Sequence, residues 1–227
     1  MRTNRSIRTK LVAVAGIAFI GLGAAACGGD SDAADGGSSS SKSAPKPVAA
    51  LDAVAGKSTA IKLDTGFTDA LTTLGLTPGV TGDGQLTDDG SLVFPITGGN
   101  VTIFKKGEVS PYVIGQLQHV TSGLTLTAGD TTVKLSNFNV DPGVSRVYGD
   151  VEVNGESAAK SAFLFQLDGR TLQPLKTEGT DAILTGTKVE ISPVAADLLN
   201  QVFKTDAVTA DLLVGIATIT VDTTPAV

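Results

Sequence analysis

From about Gly90 onward, apolar and polar residues alternate in short runs separated by glycine, aspartate and asparagine. Successive side chains of a strand point to opposite faces, so this period of two predicts half-buried antiparallel strands. The runs are Leu92–Ile96, Val101–Phe104, Tyr112–Val120, Leu124–Thr127, Thr131–Val140, Arg146–Val153, Ser161–Leu167, Ala182–Ile191 and Leu212–Val221. Thr97-Gly98-Gly99-Asn100 lies between the first two and reads as a hairpin turn. Two segments break the pattern with helical spacing. Thr65–Leu74 puts Phe67, Leu71 and Leu74 on one face, with Gly75 placed to end the helix. In Ser192–Phe203, Ser192 is a cap and Pro193 suits the first helical position, so that Val194, Leu198, Val202 and Phe203 would face a sheet. The fold class expected is all-β: an antiparallel sandwich or barrel-like sheet with two short helices plugging its open ends.

The N-terminal part has a different character. Arg2, Arg5, Arg8 and Lys10 precede the apolar run Leu11–Leu22, and Gly23-Ala24-Ala25-Ala26 leads directly into Cys27, the chain's one cysteine. A basic start, a short apolar stretch and a small-residue cleavage site make a secretory signal, here of the lipoprotein kind. The apolar run is too short to span a bilayer as a helix, which takes about 20 residues. A single cysteine forms no intramolecular disulfide, and its use for lipid attachment accounts for it. The expected organisation is a signal peptide over 1–26, a lipidated Cys27 with a flexible tether over 27–48, and one β-rich domain over 49–227. The tether is rich in Gly, Ser, Ala and Asp and has little to bury against the entropy of ordering it. The chain is thus expected on the extracytoplasmic face of the cell membrane, with the membrane as its partner through the lipid on Cys27.

Charge narrows the other partners. Without the four basic residues of the signal, 13 basic residues stand against 23 acidic ones. That excess of acid disfavours nucleic acid and broad adhesion to anionic lipid, both of which select Lys and Arg clusters. With no tryptophan and only Tyr112 and Tyr148 as tyrosines, a stacked-aromatic platform for sugars is also disfavoured.

Three stretches carry a family resemblance. Gly90-Ser91-Leu92-Val93-Phe94-Pro95-Ile96-Thr97-Gly98-Gly99, then Gly115-Gln116-Leu117-Gln118-His119-Val120-Thr121-Ser122-Gly123-Leu124-Thr125-Leu126, then Val133-Lys134-Leu135-Ser136-Asn137-Phe138-Asn139-Val140-Asp141 resemble the HtaA-type haem-transport domain of actinobacterial surface proteins. The likeness runs from about Thr59 to Val221 and rests on glycines and apolar strand positions. It implies a mostly β domain that captures haem at the cell surface through a tyrosine ligand, supported by a histidine in a glycine-flanked turn. Two positions depart from that pattern. The stretch after Phe67 offers Ala70 and Leu71 where the tyrosine would be, and Ser122 lies closer than His119 to the histidine's place.

The remaining haem-ligating candidates are His119, Tyr112 and Tyr148, since histidine nitrogen and tyrosine oxygen both hold haem iron. On a regular strand Tyr112 shares its face with Ile114, Gln116 and Gln118, opposite His119; a bulge near Gly115 would bring the two together. Tyr148, on a later strand, is the better-placed partner for His119 if strand pairing brings the two together. Against ligation, a lone histidine in a strand is more often a surface or hydrogen-bonded residue. No Gly-x-Ser-x-Gly elbow surrounds any serine, which argues against an enzyme, and a His/Cys metal site lacks residues to build it. Gly82-Asp83-Gly84 and Thr87-Asp88-Asp89-Gly90 carry oxygen ligands suited to calcium, but read more simply as turns. The function expected is a non-enzymatic surface module that binds haem or another hydrophobic small molecule. The alternative is a structural or protein-interaction lipoprotein, partnered with envelope proteins and binding no haem.

Overall fold

The computed structural model describes residues 43–224. The signal segment, Cys27 and the tether as far as residue 42 lie outside the described residues. Thirteen strands and two helices follow in the order β1 (Ala49–Leu51), β2 (Ala55–Leu63), α1 (Thr65–Thr73), β3 (Thr77–Gly82), β4 (Gln85–Leu86), β5 (Ser91–Pro95), β6 (Gly98–Ile103), β7 (Val113–Ala128), β8 (Thr131–Asp141), β9 (Arg146–Val153), β10 (Glu156–Asp168), β11 (Lys176–Glu178), β12 (Asp181–Ile191), α2 (Pro193–Phe203) and β13 (Leu213–Asp222). All the named strands join one antiparallel sheet, ordered β1-β6-β7-β8-β9-β10-β12-β13-β2-β5-β4, with β3 paired to β7 and β11 to β12. The all-β expectation holds, and of its two forms the barrel-like one is found.

The alternation that predicted the strands also sets their faces. In β9, Val147, Gly149 and Val151 are buried while Arg146 is exposed and Tyr148 only partly covered. In β8, Val133, Leu135, Phe138 and Val140 turn inward. Both helices form where capping chemistry starts them. The Asp64 carboxylate accepts from the Gly66 amide at 2.8 Å, and the Ser192 hydroxyl accepts from the Ala195 amide at 3.0 Å. Ser192 also donates to the Phe163 carbonyl at 2.6 Å, which ties α2 to β10. The helices stand at one end of the curled sheet, where Phe67, Leu71 and Leu199 pack with Leu124, Leu135 and Ile191.

Three sequence expectations need correction. The Thr97–Asn100 segment is no hairpin turn: β5 pairs with β2 and β4, whereas β6 pairs with β1 and β7. The Ile96 amide still donates to Lys57 on β2, while the Thr97 amide donates to Gln118 on β7, each at 2.8 Å. The chain therefore steps from one edge of the sheet to the other here and closes the curl. Glycine is needed at Gly99 because its φ is +133° and a Cβ would collide with the Gln116 carbonyl. In α2, Ala195, Ala196 and Leu199 are the buried positions, whereas Val194 is 47% exposed. Two small alanines let the helix approach the sheet closely, and this turns the larger residues of the expected face towards its margin. Finally, the runs Tyr112–Val120 and Leu124–Thr127 belong, from Val113 onward, to one strand, β7, irregular at Thr121 (φ 70°), where the register to β8 shifts between His119 and Gly123.

Candidate functional site

Opposite the helices, the curled sheet encloses a cavity of about 690 Å³ that opens to solvent. Its volume falls within the usual range of small-molecule sites, about 300–1,000 Å³. Leu92, Phe94, Phe138, Val140, Val189 and Val214 make much of its wall. At the floor, Phe94 meets Phe138 edge-on with centroids 5.3 Å apart, and Phe138 meets Phe165 at 6.3 Å. The rim comes from the segment between β6 and β7 (Lys106, Pro111, Tyr112), the β8–β9 turn (Pro142, Ser145) and the end of β10 with the segment after it (Asp168, Arg170). These positions lie far apart in sequence and meet because the sheet closes on itself.

His119 sits in the cavity wall and is 2% exposed. Its Nδ1 lies 2.9 Å from the Pro95 carbonyl, which only an N–H can satisfy, so the ring carries its proton there. Nε2 is then the free lone pair, and the Thr59 hydroxyl stands 3.3 Å away as its donor. Burial pushes the imidazole pKa below its ordinary value, partly opposed by the Pro95 and Phe94 carbonyls. His119 is therefore neutral, and it latches β7 to β5 and β2 at the closure of the sheet. No single strand pattern signals that latch.

Tyr112 also lines the cavity. It stands just before β7 begins, so the strand's alternation does not reach it, and the β6–β7 register is continuous through Gly115. No bulge at Gly115 is needed to bring Tyr112 and His119 to one cavity; Tyr112 reaches it from the segment ahead of the strand. Burial raises its phenol pKa, which keeps it protonated. The Lys106 ammonium lies 5.8 Å from its ring centroid. Tyr148 does not join them. It follows the inward Val147 and precedes the inward Gly149, so it points out of the sheet, 6.1 Å from the Phe163 ring and 3.5 Å from an Arg146 nitrogen. Its expected partnership with His119 fails because Tyr148 pairs with Asn139, whereas the residue opposite His119 is the inward Phe138.

The small helix-end cavity is a different place. Ala70 lines it with Phe67, Leu71 and Leu199, and its volume is about 30 Å³, too little for a ligand larger than water. Ser122 is fully buried and its hydroxyl finds no partner among the described residues. The aspartate turns are used internally. Asp83 accepts from Thr121 at 2.6 Å, and hydrogen bonds from Thr87 and then Ser91 hold Asp89 at about 2. The residues that sequence reasoning missed are Thr59, Lys106 and the phenylalanine floor. The alternation placed Phe94 and Phe138 in strands without showing that they face a void.

No family model and no curated protein sequence matches the chain. Among solved structures it is similar to the C-terminal domain of HtaA from Corynebacterium glutamicum, with a TM-score of 0.52 and 14% identity over 75% of this chain and 98% of that one. The haem-binding protein HtaB from the same organism aligns with a TM-score of 0.43 and 9% identity over 77% and 96% of the two chains. The first likeness establishes that the fold is of the HtaA type.

Proposed function

We propose that this HtaA-type fold serves as a lipid-anchored extracytoplasmic module that captures a hydrophobic small molecule, with haem as its ligand. The observation that carries this reading is the apolar cavity of about 690 Å³, open at one end and walled in part by a neutral histidine. Haem would supply a Lewis-acidic iron in a flat apolar ring edged by two carboxylates. The donor chemistry of the cavity fits it. His119 Nε2 is an unprotonated imidazole nitrogen whose ring is held by the Nδ1 bond to Pro95, and an iron there would replace the Thr59 hydroxyl as its partner. Lys106 and Arg170 at the rim suit the carboxylates, and Tyr112 is a second oxygen donor. The position that the resemblance gives to a tyrosine carries Ala70 beside a cavity without room for haem, so capture belongs to the open end.

A second reading has its own support. His119 is nearly covered and both its nitrogens have partners, which suits an apolar ligand held without iron ligation.

Haem titration of residues 43–227 followed by visible absorption separates the two. A saturable, shifted Soret band is expected. Ala217→Trp, at a buried position lining the cavity, fills it and is expected to weaken binding at least about tenfold. Tyr148→Phe, on the outer face, should leave it unchanged. A spectrum equal to that of free haem, with a fluorescent acyl probe displaced from the wild type but not from Ala217→Trp, would transfer the site to a metal-free ligand. The anchor has a separate test. Cys27→Ser is expected to move the protein from the membrane fraction to the medium or leave its signal uncleaved; unchanged membrane retention with a processed N-terminus would end the lipidation reading.

A further inference from the structure

The open end of the cavity is also where the chain enters the fold. The Val48 amide donates to the Ile103 carbonyl at 2.8 Å, and β1 then runs along the cavity wall. Cys27 precedes Val48 by 21 residues, a reach of at most about 70 Å at roughly 3.3 Å per residue. Exposed apolar side chains stand next in sequence to residues that line the cavity: Val48 beside Ala49 is 67% exposed, Val144 beside Ser145 54% and Ile114 beside Val113 38%. Ile114 and the Gly143–Val144 turn are neighbours, since a Cβ on Gly143 would lie 3.9 Å from Ile114 Cγ2. Cations and acids share the rim, and the acids are engaged: Glu108 pairs with Lys105 at 3.7 Å, Asp168 with Arg170 at 2.8 Å, and Asp141 accepts from the Val144 amide at 3.2 Å. No salt bridge engages Lys46 or Lys106 among the described residues. In a domain with an excess of acid, apolar residues and lysines gathered about one opening complement an anionic lipid surface.

We propose that this rim, formed by Val48, the Lys105–Tyr112 segment, Ile114 and the Pro142–Ser145 turn, docks on an anionic bilayer with the cavity opening onto it. The lysines meet lipid phosphates and Val48, Ile114 and Val144 enter the interfacial layer. An apolar ligand then passes between bilayer and cavity without crossing water. The placement rests on the anchor proposed at Cys27, but the docking itself is a property of the folded domain.

All named strands and helices lie between Ala49 and Asp222, so residues 43–227 contain the whole core and can be tested without Cys27. The experiment is co-sedimentation of that domain with vesicles of phosphatidylcholine alone, or mixed in equal parts with phosphatidylglycerol. Binding to the mixed vesicles is expected, weakened by salt and reduced at least about tenfold in both Val144→Asp and Lys106→Glu. Val194→Asp, an exposed apolar position on α2 at the plugged end, should bind as the wild type does, with circular dichroism confirming that each variant is folded. No sedimentation with mixed vesicles, or equal losses in Val144→Asp and Val194→Asp, would overturn the proposal. The ligand titration is made in solution and reads the cavity alone. A domain that takes ligand but ignores vesicles ends the docking proposal only, and the reverse result ends only the ligand reading.

Discussion

His119→Ala is expected to lower the unfolding free energy of the domain by about 2–4 kcal/mol, because it leaves the Pro95 carbonyl and Thr59 hydroxyl without their partner and opens space in the wall. For a domain of this size that is a fall in melting temperature of roughly 4–16 °C. The pH dependence gives a signature that simple loss of packing would not. Burial holds the folded imidazole below the ordinary value of 6.5, so as pH falls the unfolded chain takes up its proton first. The neutral latch costs no stability above about pH 6.5. Stability then declines from there down to the depressed folded pKa, below which this group adds no further slope. Asp89 and Asp168, each held at about 2, lose their contributions only as pH falls below the ordinary carboxylate value of 3.8 towards 2, well away from that window. Urea midpoints measured between roughly pH 5 and 8 should therefore fall on the acid side for the wild type and stay flatter for His119→Ala. Parallel curves for the two proteins would remove the histidine as the source.

Gly99→Ala is expected to cost at least about 3 kcal/mol, more than an ordinary glycine substitution in a strand. Its φ of +133° is one that side chains rarely adopt, and the added Cβ would meet the Gln116 carbonyl of the paired strand. The backbone must move where the sheet closes, next to the Thr97–Gln118 bond that carries β6 across to β7. Gly75→Ala is the internal comparison. Gly75 also has a positive φ, +66°, but nothing lies within 4 Å of its would-be Cβ, so a loss of only about 1 kcal/mol is expected. Equal denaturant midpoints for the two variants would show that the close approach of strands at Gly99 carries no special weight. A large gap would locate the stability of the cavity's seam in main-chain contact, because the closure brings two peptide groups together with no side chain between them.

Both effects arise where sequence reading was least complete. Strands such as Arg146–Val153 and one end of each helix were legible because their causes are local: a period of two, a serine before a proline, a glycine after the last turn. β2 was missed because Ala55–Leu63 is small and polar for much of its length, yet it pairs with both β13 and β5 and supplies Thr59 beside His119. The offset of His119 from the family position suggested a side chain turned away from the pocket, whereas it is buried in the cavity wall, because face is fixed by pairing across the sheet. Tyr112 and His119 border one cavity through a change of chain direction ahead of β7, whereas Tyr148 is excluded by one step of register against Asn139.

The sequence by itself determined the β class, most strand positions, one end of each helix and the residue types able to ligate iron, since each depends on neighbours within a few positions. Only the tertiary structure decided that the sheet curls closed, that helices plug one end while the other stays open, and which candidates share the cavity. Those outcomes depend on strand order and register among segments up to the full length of the domain apart, and the alternation within one strand carries no record of which strand will lie opposite.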